Sequence, residues 1–222
     1  MRSLERYATR LQATSGSGYR RFIYGAGPKC CRSDNQTSIF VSPGRCRWMD
    51  NNQIAWLQSE LTSAPQEKAV IVSMHHPIYS ADIYHSGSTY MHNTLDQAIQ
   101  NSGRVPDAVF AGHVHNYQRY TRTLNGRALT YIVAGAGGYY NLHMMQQVQG
   151  APITTPYPLP NEEGVVLENY CDDHHGYLLL EVDGQTLKGQ YFAVPITQEP
   201  GGTPVQQIEA FMLNLKTHQL QD

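Results

Sequence analysis

The sequence predicts an α/β fold with a mixed sheet, on three observations. Val70–Met74 and Ala108–Ala111 are short, continuous apolar runs rich in strand-forming residues, the pattern of strands buried on both faces. Between them Leu95, Ala98 and Ile99 follow helical spacing. Further on, Tyr177–Val182 and Thr186–Val194 flank Asp183-Gly184, a strong hairpin signal. Strand, helix, strand and then a series of strands gives helices packed on a sheet of mixed direction.

Taken in order, residues 1–49 read as an irregular basic segment, outside the domain that occupies residues 50–222. Residues 1–50 hold nine Lys/Arg against three Asp/Glu, and three of the four cysteines (Cys30, Cys31, Cys46). Their apolar residues keep no period, and Ser15–Gly18 and Gly25–Pro28 interrupt them. From Asp50 the pattern becomes regular. Asn51 or Asn52 can cap a helix carrying Ile54, Trp56, Leu57 and Leu61, which Pro65 ends. A strand follows at Val70–Met74, then a loop over residues 75–93 and a short helix over Thr94–Asn101. Ala108–Ala111 and Arg127–Ala134 are the next strands, the second closed by Gly135-Ala136-Gly137-Gly138 as a tight turn. Residues 139–175, with four prolines, read as a long loop, and a strand over Val205–Leu215 follows the closing hairpin.

Composition excludes several classes. With 222 residues the chain can bury a full core, and 41% apolar residues with 15 tyrosines exclude a disordered charged tail. A net charge of −2 gives no reason to expect a nucleic-acid partner. No apolar run is long enough to cross a bilayer, and the N-terminus lacks the apolar stretch of a secretion signal. The cysteine spacing fits no zinc signature, and Asn35-Gln36-Thr37 is a formal glycosylation sequon.

The chemistry lies in the histidines. His75-His76-Pro77 ends one predicted strand, and Gly112-His113-Val114-His115 ends another. Side chains at the carboxyl ends of neighbouring strands converge on one crevice, and imidazole is the usual ligand for Zn, Fe, Mn and Ni. His75, His113 and His115 are therefore the candidate metal ligands. Pro77 holds His76 extended, which should turn it opposite to His75, so one of the two faces the crevice. Spacing alone does not say which, and His76 is expected to be the one that points away. His85, in a Gly/Ser/Tyr loop, is the candidate acid and substrate ligand, and Arg119 can hold a carboxylate or a substrate phosphate bidentately. His92, His143 and His218 carry no partner pattern and read as structural or exposed, and Asp172-Asp173-His174-His175 reads as structural too.

Met74-His75-His76-Pro77-Ile78-Tyr79-Ser80 and Phe110-Ala111-Gly112-His113-Val114-His115-Asn116-Tyr117-Gln118-Arg119 resemble the last two signature blocks of the calcineurin-like metallophosphoesterases, purple acid phosphatase-like branch. The resemblance covers about residues 50–215. It implies the C-terminal half of an α/β/β/α sandwich and metal-dependent hydrolysis of phosphoesters. It further implies two divalent or mixed-valence ions (Fe, Zn or Mn), His75 and His113 sharing one and His115 holding the other. His85 matches a substrate-contacting histidine, and the branch's members are often extracytoplasmic. Two departures stand out: Gln118 replaces the usual Glu before Arg, and residues 1–50 contain no Gly-Asp and no Asn-His block. The chain is accordingly expected to be a fragment, or one whose first 50 residues replace the missing half, with weak or no hydrolysis of its own. The alternative is a catalytically inactive remnant that serves as a binding or interaction domain. If a carboxylate completes the site from within, Asp82 or Asp172 supplies it.

Overall fold

A computed structural model describes residues 20–23, 31–34, 38–42, 49–196 and 198–221. In chain order the elements are β1 (Arg20–Ile23), β2 (Cys31–Asp34), β3 (Ser38–Ser42), α1 (Asn51–Ser63), β4 (Ala69–Met74), α2 (Thr89–Ser102), β5 (Ala108–Ala111), β6 (Tyr117–Leu124) and β7 (Arg127–Ala134). There follow β8 (Gln147–Val148), β9 (Ala151–Pro152), β10 (Tyr157–Pro158), β11 (Val165–Cys171), β12 (Gly176–Val182), β13 (Thr186–Ala193), β14 (Gln206–Asn214) and β15 (Gln219–Gln221).

Among the described residues the strands form an eight-stranded sheet in the order β10-β11-β6-β7-β5-β4-β3-β2, a five-stranded sheet in the order β1-β12-β13-β14-β15, and a small β8-β9 pair. The centre of the large sheet is parallel, β3 to β4, β4 to β5 and β5 to β7, while its other pairs are antiparallel. The α/β fold with a mixed sheet is as the sequence predicts.

Period-two alternation builds the layers. On β4, Val70, Val72 and Met74 face α1 and α2 and join Leu57, Leu61, Leu95 and Ala98 in one core. Ala69 and Ile71, with Phe110 and Ile132, face the five-stranded sheet and meet Leu180, Leu187 and Phe211 in a second core. Helices, large sheet and small sheet are thus three stacked layers. Each fully buried Leu, Ile or Val contributes roughly 1.5–3 kcal/mol of hydrophobic stabilisation before chain entropy is counted.

Several boundaries differ from the sequence reading. Asp50, not an asparagine, caps α1: its carboxylate accepts from the Gln53 backbone, and the Gln53 side chain accepts from the Asp50 backbone, a reciprocal capping box. α2 begins at Thr89 because Ser88 caps it, and it ends at Gly103 in the left-handed conformation. The expectation of irregular structure in the first segment fails where that segment is described. β1 pairs with β12, and β3 lies between β2 and β4 with Ile39 and Val41 fully buried. The Asn35-Gln36-Thr37 sequon lies outside the described residues. β11 replaces part of the loop expected over residues 139–175, and β6 is a strand where the sequence reading assigned no element. On β6 the Gln118 and Arg119 side chains are buried because partners distant in sequence satisfy them. Cys171 is a buried free thiol. Among the described residues no helix is long and apolar enough to cross a membrane.

Candidate functional site

β4 and β5 are parallel neighbours, so their carboxyl ends bring His75 and His113 together. The Gly112 N–H donates to the His75 carbonyl at 3.1 Å, which joins the two strand ends directly. Two tight backbone contacts follow, Val114 N to Gly112 O at 2.7 Å and Asn116 N to Val114 O at 2.9 Å. They hold His113 at a φ of 66°, a left-handed conformation that a non-glycine residue rarely adopts. Gly135 closes the turn from behind. A Cβ there would stand 1.8 Å from the Val114 carbonyl oxygen, so no larger residue fits. The Gly135-Ala136-Gly137-Gly138 turn is therefore beside the site, as expected.

The histidines form one continuous cluster. His75 Nε2 and His113 Nδ1 stand 3.2 Å apart. The His85 ring meets His113 edge-on at 4.9 Å and stacks on His143 at 4.9 Å with an interplanar angle of 3°. His143 in turn lies 4.4 Å from His115. His76 is a correction: its ring lies 4.0 Å from that of His113, inside the crevice and not turned from it. His143 is a second correction. It carries no partner pattern in the sequence, yet it is buried at the centre of the cluster, with Asp82 beside it.

The loop after β4 explains how Asp82 and His143 arrive there. Gly87 packs against the Ile78 carbonyl, where a Cβ would stand at 2.1 Å, and Ser88 N donates to Pro77 O at 3.0 Å. The loop thus folds back on the His-Pro block and returns His85 to His113. Asp82 forms a bridge with Met145, and Ile83 N donates to Met144 O at 3.2 Å. From the other side the His143 N–H donates to the His115 carbonyl at 3.1 Å, and Asn116 Nδ2 donates to the His143 carbonyl at 2.9 Å. Gln118 locks the assembly, donating to Asn116 Oδ1 at 2.8 Å and accepting from the Ala81 N–H at 2.9 Å. A glutamate at that position could not donate to Asn116.

Electrostatics favour the neutral imidazole at His113 and His143. Burial, followed by the neighbouring His76, His75, His85 and His115, pushes the His113 pKa down to about 4. Burial likewise lowers that of His143, against the opposing pull of Asp82. Neutral rings keep the lone pairs that metal ligation requires. Two nitrogens about 2.0–2.1 Å from one tetrahedral ion stand roughly 3.3–3.4 Å apart, so the His75–His113 spacing suits either a hydrogen bond or a shared ion. His115 Nδ1 donates to the Asn141 carbonyl at 2.8 Å, which fixes the tautomer and leaves Nε2 as the free donor atom. The residues present fit metal binding on these grounds.

Arg119 does not belong to the crevice: of the two expected partners it holds a carboxylate, not a substrate phosphate. Alternation on β6 sends Gln118 and Tyr120 toward the helices and Arg119 toward the five-stranded sheet. There its guanidinium pairs with Glu209 at 2.6 and 2.7 Å and lies 5.0 Å over the Phe211 ring. Both partners are buried. Asp172 is engaged as well, accepting from Met145 N at 2.8 Å. Cys171, Asp173 and His174 form a separate group, saturated by internal bonds and by Glu199 at 2.9 Å from His174.

Comparison with known proteins agrees with this geometry. No family model matches the chain. It is 32% identical to purple acid phosphatase 22 of Arabidopsis thaliana over 95 residues, 40% of this chain and 22% of the relative. It is 29% identical to probable purple acid phosphatase 20 of the same plant over 140 residues, 59% of this chain and 30% of the relative. With the phosphoenolpyruvate phosphatase of Allium cepa it shares 40% identity over 78 residues, 33% of this chain and 15% of the relative. The chain therefore spans less than a third of the length of these relatives. The solved structure of PhoD superposes on 91% of the chain and 43% of its own, with a TM-score of 0.55 at 14% identity, a likeness of fold. The chain is thus similar in sequence to purple acid phosphatases over part of its length, and PhoD, a metallophosphoesterase, shares its fold.

Proposed function

We propose that the chain carries the histidine-bearing part of a metal-dependent phosphoester hydrolase site. In this reading His75 and His113 hold one ion, His115 holds a neighbour, and His85 meets the phosphoryl group. The observation that carries it is the 3.2 Å approach of His75 Nε2 to His113 Nδ1 across two parallel strand ends. The phosphatase names of the relatives support a phosphoester as the substrate. Residues 50–222 form the phosphoesterase-like part, with β3 added to its central sheet.

Iron, zinc or manganese ions, when bound, supply charge that neutralises the phosphoryl oxygens. The chain's own residues do the rest. A cleft of about 620 Å³ opens beside His76, His85 and His113 and reaches Ser88 at the start of α2, where the helix dipole favours an anion. His85 Nδ1 faces Asp82 at 3.5 Å, so Nε2 is the atom that donates to a phosphoryl oxygen or protonates a leaving oxygen. Arg119, held by Glu209, takes no part.

The test is turnover of a generic aryl phosphate by the full chain with added Mn, Zn or Fe, against His113→Ala. Weak metal-dependent turnover that His113→Ala abolishes is expected. Turnover equal in the two proteins overturns the reading. Phosphate binding without turnover favours the catalytically inactive binding domain.

A further inference from the structure

We propose that Asp82, His85 and His143 form a cation site of their own, for a transition-series divalent ion such as Zn²⁺, Mn²⁺ or Co²⁺. One ligand atom from each of the three lies within 4.8 Å of the others. The site is independent of the phosphoester reading and uses a carboxylate, which the His75–His113–His115 set lacks.

Asp82 is the centre of the argument. Its side chain is fully buried, and its Oδ1 accepts the backbone N–H groups of Tyr84 at 2.8 Å and His85 at 2.6 Å. Those bonds fix the carboxylate plane and account for one oxygen. The other, Oδ2, points at His143 Nδ1 across 3.4 Å, and neither atom makes a hydrogen bond. His85 Nδ1, 3.5 Å from Oδ1, makes none either. A buried carboxylate oxygen and two buried ring nitrogens left without hydrogen bonds are costly in a protein interior. A single cation among them satisfies all three.

The surroundings are built as metal sites are. His143 is held at both backbone atoms, N–H to His115 and carbonyl from Asn116. The Asp82 carbonyl accepts from Gln146 Nε2 at 3.2 Å. Such outer contacts set ligand orientation before an ion arrives. Two imidazoles and one carboxylate suit borderline ions and not Ca²⁺ or Mg²⁺, which take all-oxygen sets. His85 is 39% exposed at its side chain, so the ion has an entry path and an open coordination position. Ligation through Nδ1 leaves His85 Nε2 free toward the cleft.

The experiment titrates Zn²⁺, Mn²⁺ and Co²⁺, each alone, into the metal-free full chain by calorimetry, with Co²⁺ absorption as a second readout. Asp82→Asn, His143→Gln and His113→Ala are compared at matched circular dichroism. One equivalent is expected to weaken more than about tenfold in Asp82→Asn and in His143→Gln and to be retained in His113→Ala, separately from any ion held by His75, His113 and His115. Unchanged binding in the first two variants overturns the site, as does loss in all three or no binding in the wild type. If Asp82→Asn fails to fold, His143→Gln and its Co²⁺ spectrum decide. A failed phosphatase assay leaves this outcome untouched, because no turnover is read.

Discussion

Arg119 and Glu209 form a buried ion pair that ties the two sheets together, 90 residues apart in sequence and 2.7 Å apart at Nε and Oε1. Tyr117, two positions before Arg119, donates to the other Glu209 oxygen. Replacing Glu209 with Ala leaves the guanidinium buried without its counter-charge, an expected loss of about 3–5 kcal/mol in urea unfolding. A change within 0.5 kcal/mol, the ordinary scatter for a surface site, would show that water or another group takes over.

Gly135 and Gly137 are a matched pair for testing the turn behind the histidines. A Cβ at Gly135 meets the Val114 carbonyl at 1.8 Å, whereas one at Gly137 meets nothing within 4 Å. Gly135→Ala is expected to cost on the order of 1–3 kcal/mol and to disturb the His113 and His115 ring signals by NMR. Gly137→Ala is expected to leave both unchanged.

His174 donates to Asp173 at 2.8 Å and to Glu199 at 2.9 Å, and these carboxylates raise its pKa above the ordinary imidazole value. A raised folded-state pKa contributes stability that is fully present below the unfolded value, about 6.5, and is lost as pH rises through the folded value. The melting-temperature gap between wild type and His174→Gln is therefore expected to be widest near pH 6 and to close toward pH 9. Because the pair is partly exposed, the gap corresponds to about 1 kcal/mol or less.

β3 is flanked by a strand on either side, and Ile39 and Val41 are fully buried. Their amides are expected to exchange as slowly as those of Val70 and Val72 on β4. Fast exchange at both positions would detach that strand from the sheet.

Much of this protein is legible in its sequence. β4, β5, β7 and the β12–β13 hairpin could be read because uninterrupted apolar runs and an Asp-Gly turn report burial and direction locally. The approach of His75 and His113 could be read for the same reason, since each stands just past the end of such a strand. The tertiary structure alone decided the rest. β6 carries no readable strand pattern because its polar residues are satisfied only on folding, Gln118 by Ala81 and Asn116, Arg119 by Glu209. His143 and Asp82 carry no local pattern, and they meet because the 81–86 loop pairs with the segment around Met145. Arg119, one residue from Gln118, faces the opposite side of the sheet, and period-two geometry then fixed it as a structural ion pair. A sequence records what each residue prefers among its neighbours. Which distant groups neutralise a buried charge or share a crevice is settled by chain closure, and here that decided which side chains compose the site.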